Sequence, residues 1–344
     1  MTSRADQTSP RVSFATWGAG GYANSAAPRL ADPARLQSLS GRTMGTTWSV
    51  RLDNPSMVPL EAIRAAIEDA LDLVIAQMST WEADSSVTRF NEAPAGSRHA
   101  LEPEFAEVLA CGLRWAAASG GAIDPTIGPL VSLWGFGSHA TPVMSPPSPS
   151  ELAATRSRVS WQKLQFDDAT RTITQPGGVR LDLSGIAKGF SVDQVAESLK
   201  AHGLRAFLVE VGGEVRCLGR RPSGEPWRVL VEAGTQSVRV ALADTAIATS
   251  GNRWHVHEVD GQRWSHTIDP RTGEPVRHSL VSVSVIHPHC MHADALATVL
   301  TVLGPEHGFA FAQRHKIAAL FVKEDPDGRL SCATDGWTSQ VLAA

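Results

Sequence analysis

Cysteine is scarce and scattered in this chain. Four residues (Cys111, Cys217, Cys290, Cys332) are spread over 344 positions with no CxxC spacing, so a disulfide framework is not expected. Charge of one sign is also missing. Lys and Arg total 31 against 35 Asp and Glu, for a net charge of -4 with no basic block, which argues against a nucleic-acid binder working by phosphate neutralisation. No run of about 18 apolar residues is present, so no transmembrane helix is expected. Tyrosine is nearly absent, one against ten tryptophans, a bias with no evident physical reason. No internal repeat is visible.

What remains is the composition of an ordinary globular protein, 42% hydrophobic and 19% charged, long enough for one large domain or two compact ones. Residues 1–38 are rich in Ser, Ala, Gly, Thr and Pro and read as a disordered tail or a leader, with the tail favoured; residues 39–344 read as the folded domain. No cysteine precedes Cys111 to anchor a lipid, and no clear signal peptide is present, so the expected location is cytoplasmic. Leu39–Leu52 reads as strand broken at Met44-Gly45-Thr46-Thr47. Leu60–Met78 has a helical apolar period (Ile63, Ile67, Leu71, Val74, Ile75, Met78), as does Leu101–Ser119, stopped by Gly120-Gly121. Ser138–Ser150, with four prolines, reads as a loop or linker. Further strands are expected at 161–166, 170–175, 179–183, 207–218 hinged at Gly212-Gly213, 227–232, 237–242, 246–249, 280–286 and 317–322. A hairpin is expected over 255–266, turning at Asp260-Gly261, with helices at 185–202 and 294–303. Strands and helices mix without strict alternation, which favours an α+β fold over a doubly wound sheet.

Several segments carry chemistry. In His292-Ala-Asp294-Ala-Leu-Ala-Thr298 a helix would place the Asp294 carboxylate and the Thr298 hydroxyl on one face. Two hard oxygens without a thiol suit Mg²⁺ better than zinc; the alternative is a capping Asp and a Thr bonded to its own helix. In Asp182-Leu-Ser-Gly185-Ile-Ala-Lys188-Gly189 a small-residue turn opens a helix with Lys188 in its first turn, a setting that favours phosphate. The spacing is neither GxxxxGK[ST] nor GxGxxG, and a plain strand–turn–helix is the alternative. His266-Thr-Ile268-Asp269 offers an acid/base and an orienting carboxylate, or a polar residue and a turn-capping Asp. The loop formed by Asp124–Leu130 and Leu133–Gly137 has the Gly, Pro and aromatic content to wall a flat ring. Trp81 is either a stacking platform or a core residue. His287, His289, Cys290 and His292 are crowded together, but their spacing matches no compact tetrahedral site and favours a polar loop.

Taken in order, Thr43–Thr46, Ser79–Trp81 with Arg89–Asn91, Asp124–Leu130 with Leu133–Gly137, Asp182–Gly189, Val211–Gly213, Thr249–Gly251, His266–Gly273 and Ala293–Thr298 resemble the ApbE family of FAD:protein FMN transferases. The resemblance implies an ApbE-like fold and Mg²⁺-dependent transfer of FMN from FAD to a Thr or Ser hydroxyl, with release of AMP. The acceptor would be a flavin-carrying subunit of a redox complex. It further implies that Met44, Trp81, Ala122, Ile123, Asp124, Asp182, Lys188 and Ile268 contact FAD. The Gly185 carbonyl, Asp294 and Thr298 would hold Mg²⁺, and His266 and Asp294 are candidates for acid/base work. Position 81 is commonly Tyr in the family, and Gly185 replaces the usual Ala or Thr. Many members are exported lipoproteins, so a periplasmic location is the alternative. Two alternatives remain: a Mg²⁺-dependent FAD pyrophosphatase, which would use the same residues, and a non-catalytic FAD-binding carrier, which would leave the Asp294/Thr298 pair idle.

Overall fold

A computed structural model of the chain describes residues 36–138, 145–251, 256–259, 262–326 and 328–339. It begins with a hairpin, β1 (Leu36–Thr43) and β2 (Thr46–Asp53). The two-residue turn is Met44-Gly45, with φ of 47° and 70°, the doubly positive turn that suits the twist of paired strands. Gly45 adopts it without penalty, whereas for Met44 it costs roughly 1–2 kcal/mol. The helix expected at 60–78 forms with those bounds as α1 (Leu60–Met78), burying Ile63, Ile67, Leu71, Val74 and Met78. A short α2 (Ser86–Glu92) and β3 (Arg98–Ala100) follow. Next comes α3 (Pro103–Ser119), with proline in its first turn and Gly120 closing it at φ 64°.

The middle of the chain differs from expectation in four places. The Asp124–Gly137 loop contains a short helix, α4 (Gly128–Leu133), and the Pro-rich stretch ends in another, α5 (Pro149–Arg156), opened by a Ser148–Glu151 capping box. Residues 139–144 of that stretch lie outside the described residues. The strand expected at 161–166 divides into a 3₁₀ turn (Trp161–Lys163) and β4 (Gln165–Asp167), which pairs with β5 (Thr172–Thr174). The segment 179–183 joins no sheet beyond one isolated bridge from Arg180 to Ile127. Its polar groups find partners elsewhere: the Leu181 amide donates to Asn91 Oδ1 at 2.6 Å, Asn91 Nδ2 donates to the Leu181 carbonyl at 2.9 Å, and the Asp182 amide donates to the Pro125 carbonyl at 2.9 Å. Apolar alternation alone does not distinguish this from a laddered strand.

The remaining elements are α6 (Ser184–Ala201), β6 (Phe207–Val211), β7 (Glu214–Leu218), β8 (Trp227–Ala233), β9 (Gln236–Leu242), β10 (Ala246–Gly251), β11 (Val256–Val259), β12 (Gln262–Ser265), β13 (Leu280–His287), α7 (Cys290–Arg314), β14 (Ala318–Asp325), β15 (Gly328–Ala333) and α8 (Asp335–Thr338). The β11–β12 hairpin forms, while its turn at 260–261 lies outside the described residues. Eight strands make one sheet in the order β1-β2-β6-β7-β10-β13-β14-β15, every pair antiparallel, so the architecture is α+β as expected.

The sheet is covered on both faces. One core cluster packs Val283 and Val285 of β13 against α3, α6 and α7, and another packs Val281 and Ile286 against the β8–β9 hairpin. This explains why Ser282 and Ser284 of β13 are buried although the Leu280–Ile286 pattern alternates apolar with polar. The helix expected at 294–303, α7, is longer than that. It begins at Cys290 and continues past a break at Gly304 (φ 79°, ψ −179°), where Pro305 restarts the turn. By length and composition α7 is apolar enough to cross a membrane, but its Ala293, Leu296, Val299 and Leu300 are core residues of the fold.

Candidate functional site

The site forms where α6 and α7 run past each other in opposite directions. Gly189 permits the approach: a Cβ there would lie 2.4 Å from the Cys290 carbonyl oxygen and 2.7 Å from Asp294 Cβ, so no other residue fits. The Gly189 amide donates to Asp294 Oδ2 at 2.9 Å. One turn earlier on α6, a Cβ on Gly185 would lie 3.2 Å from Thr298 Oγ1. Ser250 Oγ, from β10, lies 3.3 Å from that same hydroxyl. Gly185, Asp294 and Thr298, the three expected metal-binding positions, are therefore neighbours. Burial pushes the Asp294 carboxyl up, while Lys188 and the Gly189 amide pull it back.

Lys188 projects from the same turn of α6 and its Nζ lies 2.6 Å from Glu214 Oε1. Glu214 is almost wholly buried, and its Oε2 has no hydrogen-bond partner among the described residues. Burial pushes the Glu214 carboxyl up and Lys188 draws it down, while the nearby Asp294 charge pushes it further up. Burial works against the Lys188 ammonium, but Glu214 and Asp294 together outweigh it and hold Lys188 above the ordinary lysine value. Glu210 sits on the adjoining strand, accepting from the Gly213 amide at 2.9 Å and Ser49 Oγ at 3.0 Å; burial raises it too, and Lys188 partly offsets this. Three buried carboxylates thus face one lysine, an imbalance that a divalent cation would relieve. The donor set fits Mg²⁺. The Gly185 carbonyl, the Asp294 carboxylate and the Thr298 hydroxyl are all hard oxygen donors, the type Mg²⁺ takes.

Glu214 and Ser250 escaped the sequence reading as site residues. Glu214 directly follows the Val211-Gly212-Gly213 motif, and Ser250 is the middle residue of Thr249-Ser250-Gly251. The available signal for Glu214 is a carboxylate placed directly after the glycine pair Gly212-Gly213 and opening β7, Glu214-Val-Arg-Cys-Leu.

The expected FAD-contacting residues occupy several elements. Met44 bridges two core clusters from the β1–β2 turn. That turn adjoins the β6–β7 turn, where the Gly212 amide donates to the Thr47 carbonyl at 3.0 Å. Asp182 is half-buried and accepts from the Ser184 amide at 2.9 Å, opening α6. Trp81 is 72% exposed, not a core residue. The loop carrying it closes on itself through Ser85 Oγ, which donates to the Ser79 carbonyl at 2.7 Å. α2 then leads from this loop to Asn91, which grips Leu181 beside Asp182.

Ala122, Ile123 and Asp124 are all buried. Asp124 is internally committed: Oδ1 accepts from the Thr126 amide at 2.8 Å and hydroxyl at 2.7 Å, and Oδ2 from the Trp161 amide at 3.0 Å. A cleft of about 520 Å³ opens beside it, lined by Gly120, Gly121, Trp161 and Arg271 among others, but not by Lys188, Asp294 or Thr298. Ile268 packs with Leu130, Trp134 and Trp264 in a small separate cluster, and the half-buried His266 meets Phe136 edge-on at 6.4 Å. Asp269 takes the turn-capping role: the Arg271 side chain holds both its oxygens, at 2.8 and 2.7 Å.

The histidine cluster is real but does not form a ligand set. The rings of His287, His289 and His292 lie 4.9 to 6.3 Å apart. His292 Nδ1 accepts from Trp115 Nε1 at 3.0 Å and His287 Nδ1 from the His289 amide at 3.0 Å, which places their protons on Nε2. The Cys290 thiol points instead to the Val215 carbonyl at 3.7 Å.

The ApbE family model matches residues 44–321 of the chain. The chain belongs to the ApbE family. It is 38% identical over 302 residues to the FAD:protein FMN transferase of Vibrio cholerae, covering 86% of this chain and 90% of that protein. Its fold is similar to the apo flavinyl transferase ApbE of Pseudomonas stutzeri (TM-score 0.84, 37% identity, 90% and 98% of the two chains). It is also similar to the ApbE protein of Thermotoga maritima (TM-score 0.79, 26% identity, 90% and 100%). The ApbE match spans both helices of the α6–α7 seam and the strands that carry Glu214 and Ser250.

Proposed function

We propose that this protein is a FAD:protein FMN transferase, which moves FMN from FAD to a Thr or Ser hydroxyl of an acceptor flavoprotein and releases AMP. The reading rests on family membership. The observation that carries it to particular residues is the meeting of Gly185, Lys188, Asp294 and Thr298 at one crossing.

In this reading the Gly185 carbonyl, the Asp294 carboxylate and the Thr298 hydroxyl hold Mg²⁺, an ion that neutralises charge on a breaking pyrophosphate when bound. Lys188 holds a phosphate oxygen with a point charge, positioned by Glu214. Trp81 offers an exposed face to a planar ring, with Met44, Ile268 and the Ala122–Asp124 backbone as further FAD contacts. The acceptor oxygen forms a bond to the FMN-side phosphorus as the bond from that phosphorus to the bridging oxygen breaks. The bridging oxygen leaves with AMP, and the hydroxyl proton passes to a base, for which His266 and Asp294 are the candidates. Such a step depends on alignment and fixed charge more than on covalent participation of the protein. The acceptor is the flavin-carrying subunit of a redox complex.

The test is incubation with FAD and Mg²⁺, with and without a candidate acceptor domain, reading AMP by chromatography and acceptor mass by spectrometry. AMP together with an acceptor that has gained FMN is the expected result. AMP and free FMN with an unlabelled acceptor point to a pyrophosphatase, and bound FAD with no AMP to a carrier; either would overturn the transfer reading.

A further inference from the structure

The first amides of α7 carry no cap from their own helix: His289, at the N-cap position, contributes no side-chain hydrogen bond. The cap comes from α6. Asp193 Oδ1 accepts from the Cys290 amide at 3.0 Å and Oδ2 from the Met291 amide at 2.9 Å. Arg216 of β7 donates to the same carboxylate at 2.8 Å and pairs with Glu197 at 3.2 Å. Asp193 is buried.

This cap is the first of three contacts along the helix crossing, each four residues from the next on both helices: Asp193 with Cys290, Gly189 with Asp294, Gly185 with Thr298. The last two contacts place the proposed Mg²⁺ donors; the first places nothing but the helices. We propose that Asp193 is a positioning residue for the metal site, fixing the register of α7 against α6 and so the separation of the Gly185 carbonyl, Asp294 and Thr298. The inference rests on the Mg²⁺ reading above. At about 1.5 Å per residue, Asp193 acts from about 6 Å along the helix for Asp294 and about 12 Å for Gly185 and Thr298. Without it, α7 is free to slide or tilt about the contact at Gly189. Mg²⁺ requires near-ideal octahedral geometry at about 2.0–2.1 Å, whereas Ca²⁺ accepts irregular sites with longer bonds, so a register shift penalises the smaller ion selectively.

The test is calorimetric titration of Mg²⁺ and of Ca²⁺ into the purified, FAD-free chain, as wild type, Asp193→Asn and Arg216→Met. Asp193→Asn keeps the shape but replaces one acceptor with a donor. Its expected effect is a 10–100-fold loss of Mg²⁺ affinity, the usual scale for a residue supporting metal ligands, with Ca²⁺ affinity lowered less than about threefold. Arg216→Met leaves the cap in place and loosens it, so the same selective loss should appear at smaller size, and it supplies the reading if Asp193→Asn does not fold. Equal losses for the two ions, or an unchanged Mg²⁺ affinity in the folded variants, overturn the inference while leaving the site reading intact. A wild type that binds neither ion overturns the Mg²⁺ reading and this inference with it.

Discussion

Asp124 and Asp294 are both buried aspartates, both in motifs of the family, and both displaced upward from the usual carboxylate range by burial. They differ in what their oxygens do. Asp124 has an amide or hydroxyl on each oxygen, all from its own loop and the turn beside it, and its charge is absorbed in holding Thr126 and Trp161 in place. Asp294 has one amide on Oδ2, from Gly189, and stands near a lysine already held by Glu214. A buried carboxylate with its hydrogen bonds complete is scaffold; one left short, among other carboxylates, has charge available for a ligand.

Substitutions that remove the charge but keep the shape separate the two most sharply. Asp294→Asn should lower transfer by about a thousandfold, the several kcal/mol that metal-held charge contributes to such a step, and should abolish Mg²⁺ binding by calorimetry. Asp124→Asn should leave Mg²⁺ affinity unchanged and instead cost about 1–3 kcal/mol in denaturant unfolding, because its new amide faces the Trp161 donor. If Asp124→Asn loses the ion and Asp294→Asn keeps it, the distinction is reversed.

Next in size is Gly189→Ala, which forces α6 and α7 apart without touching a charge. It should lower transfer by about a hundredfold, the scale of a misplacement near 1 Å, and cost about 1–3 kcal/mol of stability. Wild-type kinetics in that variant would remove the close approach from the account of the site. Trp81→Ala should raise KM for FAD by about two- to tenfold, as expected of one stacking contact, and shift unfolding by less than about 0.5 kcal/mol because the ring is exposed.

The smallest effect is in pH. Glu214 has a raised folded-state value, about 7, so the folded protein holds its proton more tightly than the unfolded chain does. Its contribution to stability is complete below the ordinary carboxylate value and is lost as pH rises through about 7. In EDTA, Glu214→Gln should therefore gain on the wild type in unfolding free energy as pH rises from 5 to 8. A gain in the opposite direction would mean that the Lys188 pair outweighs burial.

Much of this was legible in the residues. α1 was readable because a solvent-facing helix with one apolar stripe has a period. The β6–β7 hinge was readable because adjacent glycines mark a tight turn. The start of α7 was not: its first turn holds His289, Cys290 and His292, which look like a polar loop, and the acid that caps it lies nearly a hundred residues away in Asp193. The 179–183 segment misled because its partners are the side chain of Asn91 and the Pro125 carbonyl, not a neighbouring strand. At the site, the motifs that meet at the α6–α7 crossing are visible one by one in the sequence. Glu214 was not singled out, because its significance comes from facing Lys188 and Asp294 across a crossing that only the folded chain creates.

The break at Gly304 gives α7 two separate tasks. Everything that faces α6 at the site, from Cys290 to Thr298, lies before it, and Phe311, which anchors the far half in the core, lies after it. Gly304 rests against His278, whose Nε2 lies 2.6 Å from the Thr301 carbonyl. The joint is thus clamped by a residue of neither half. An alteration beyond it, such as a shortened last turn or a changed loop into β14, should be registered as heat tolerance and not as ion preference. That makes the outer half of α7 the place where this fold can vary in length while its chemistry stays in alignment.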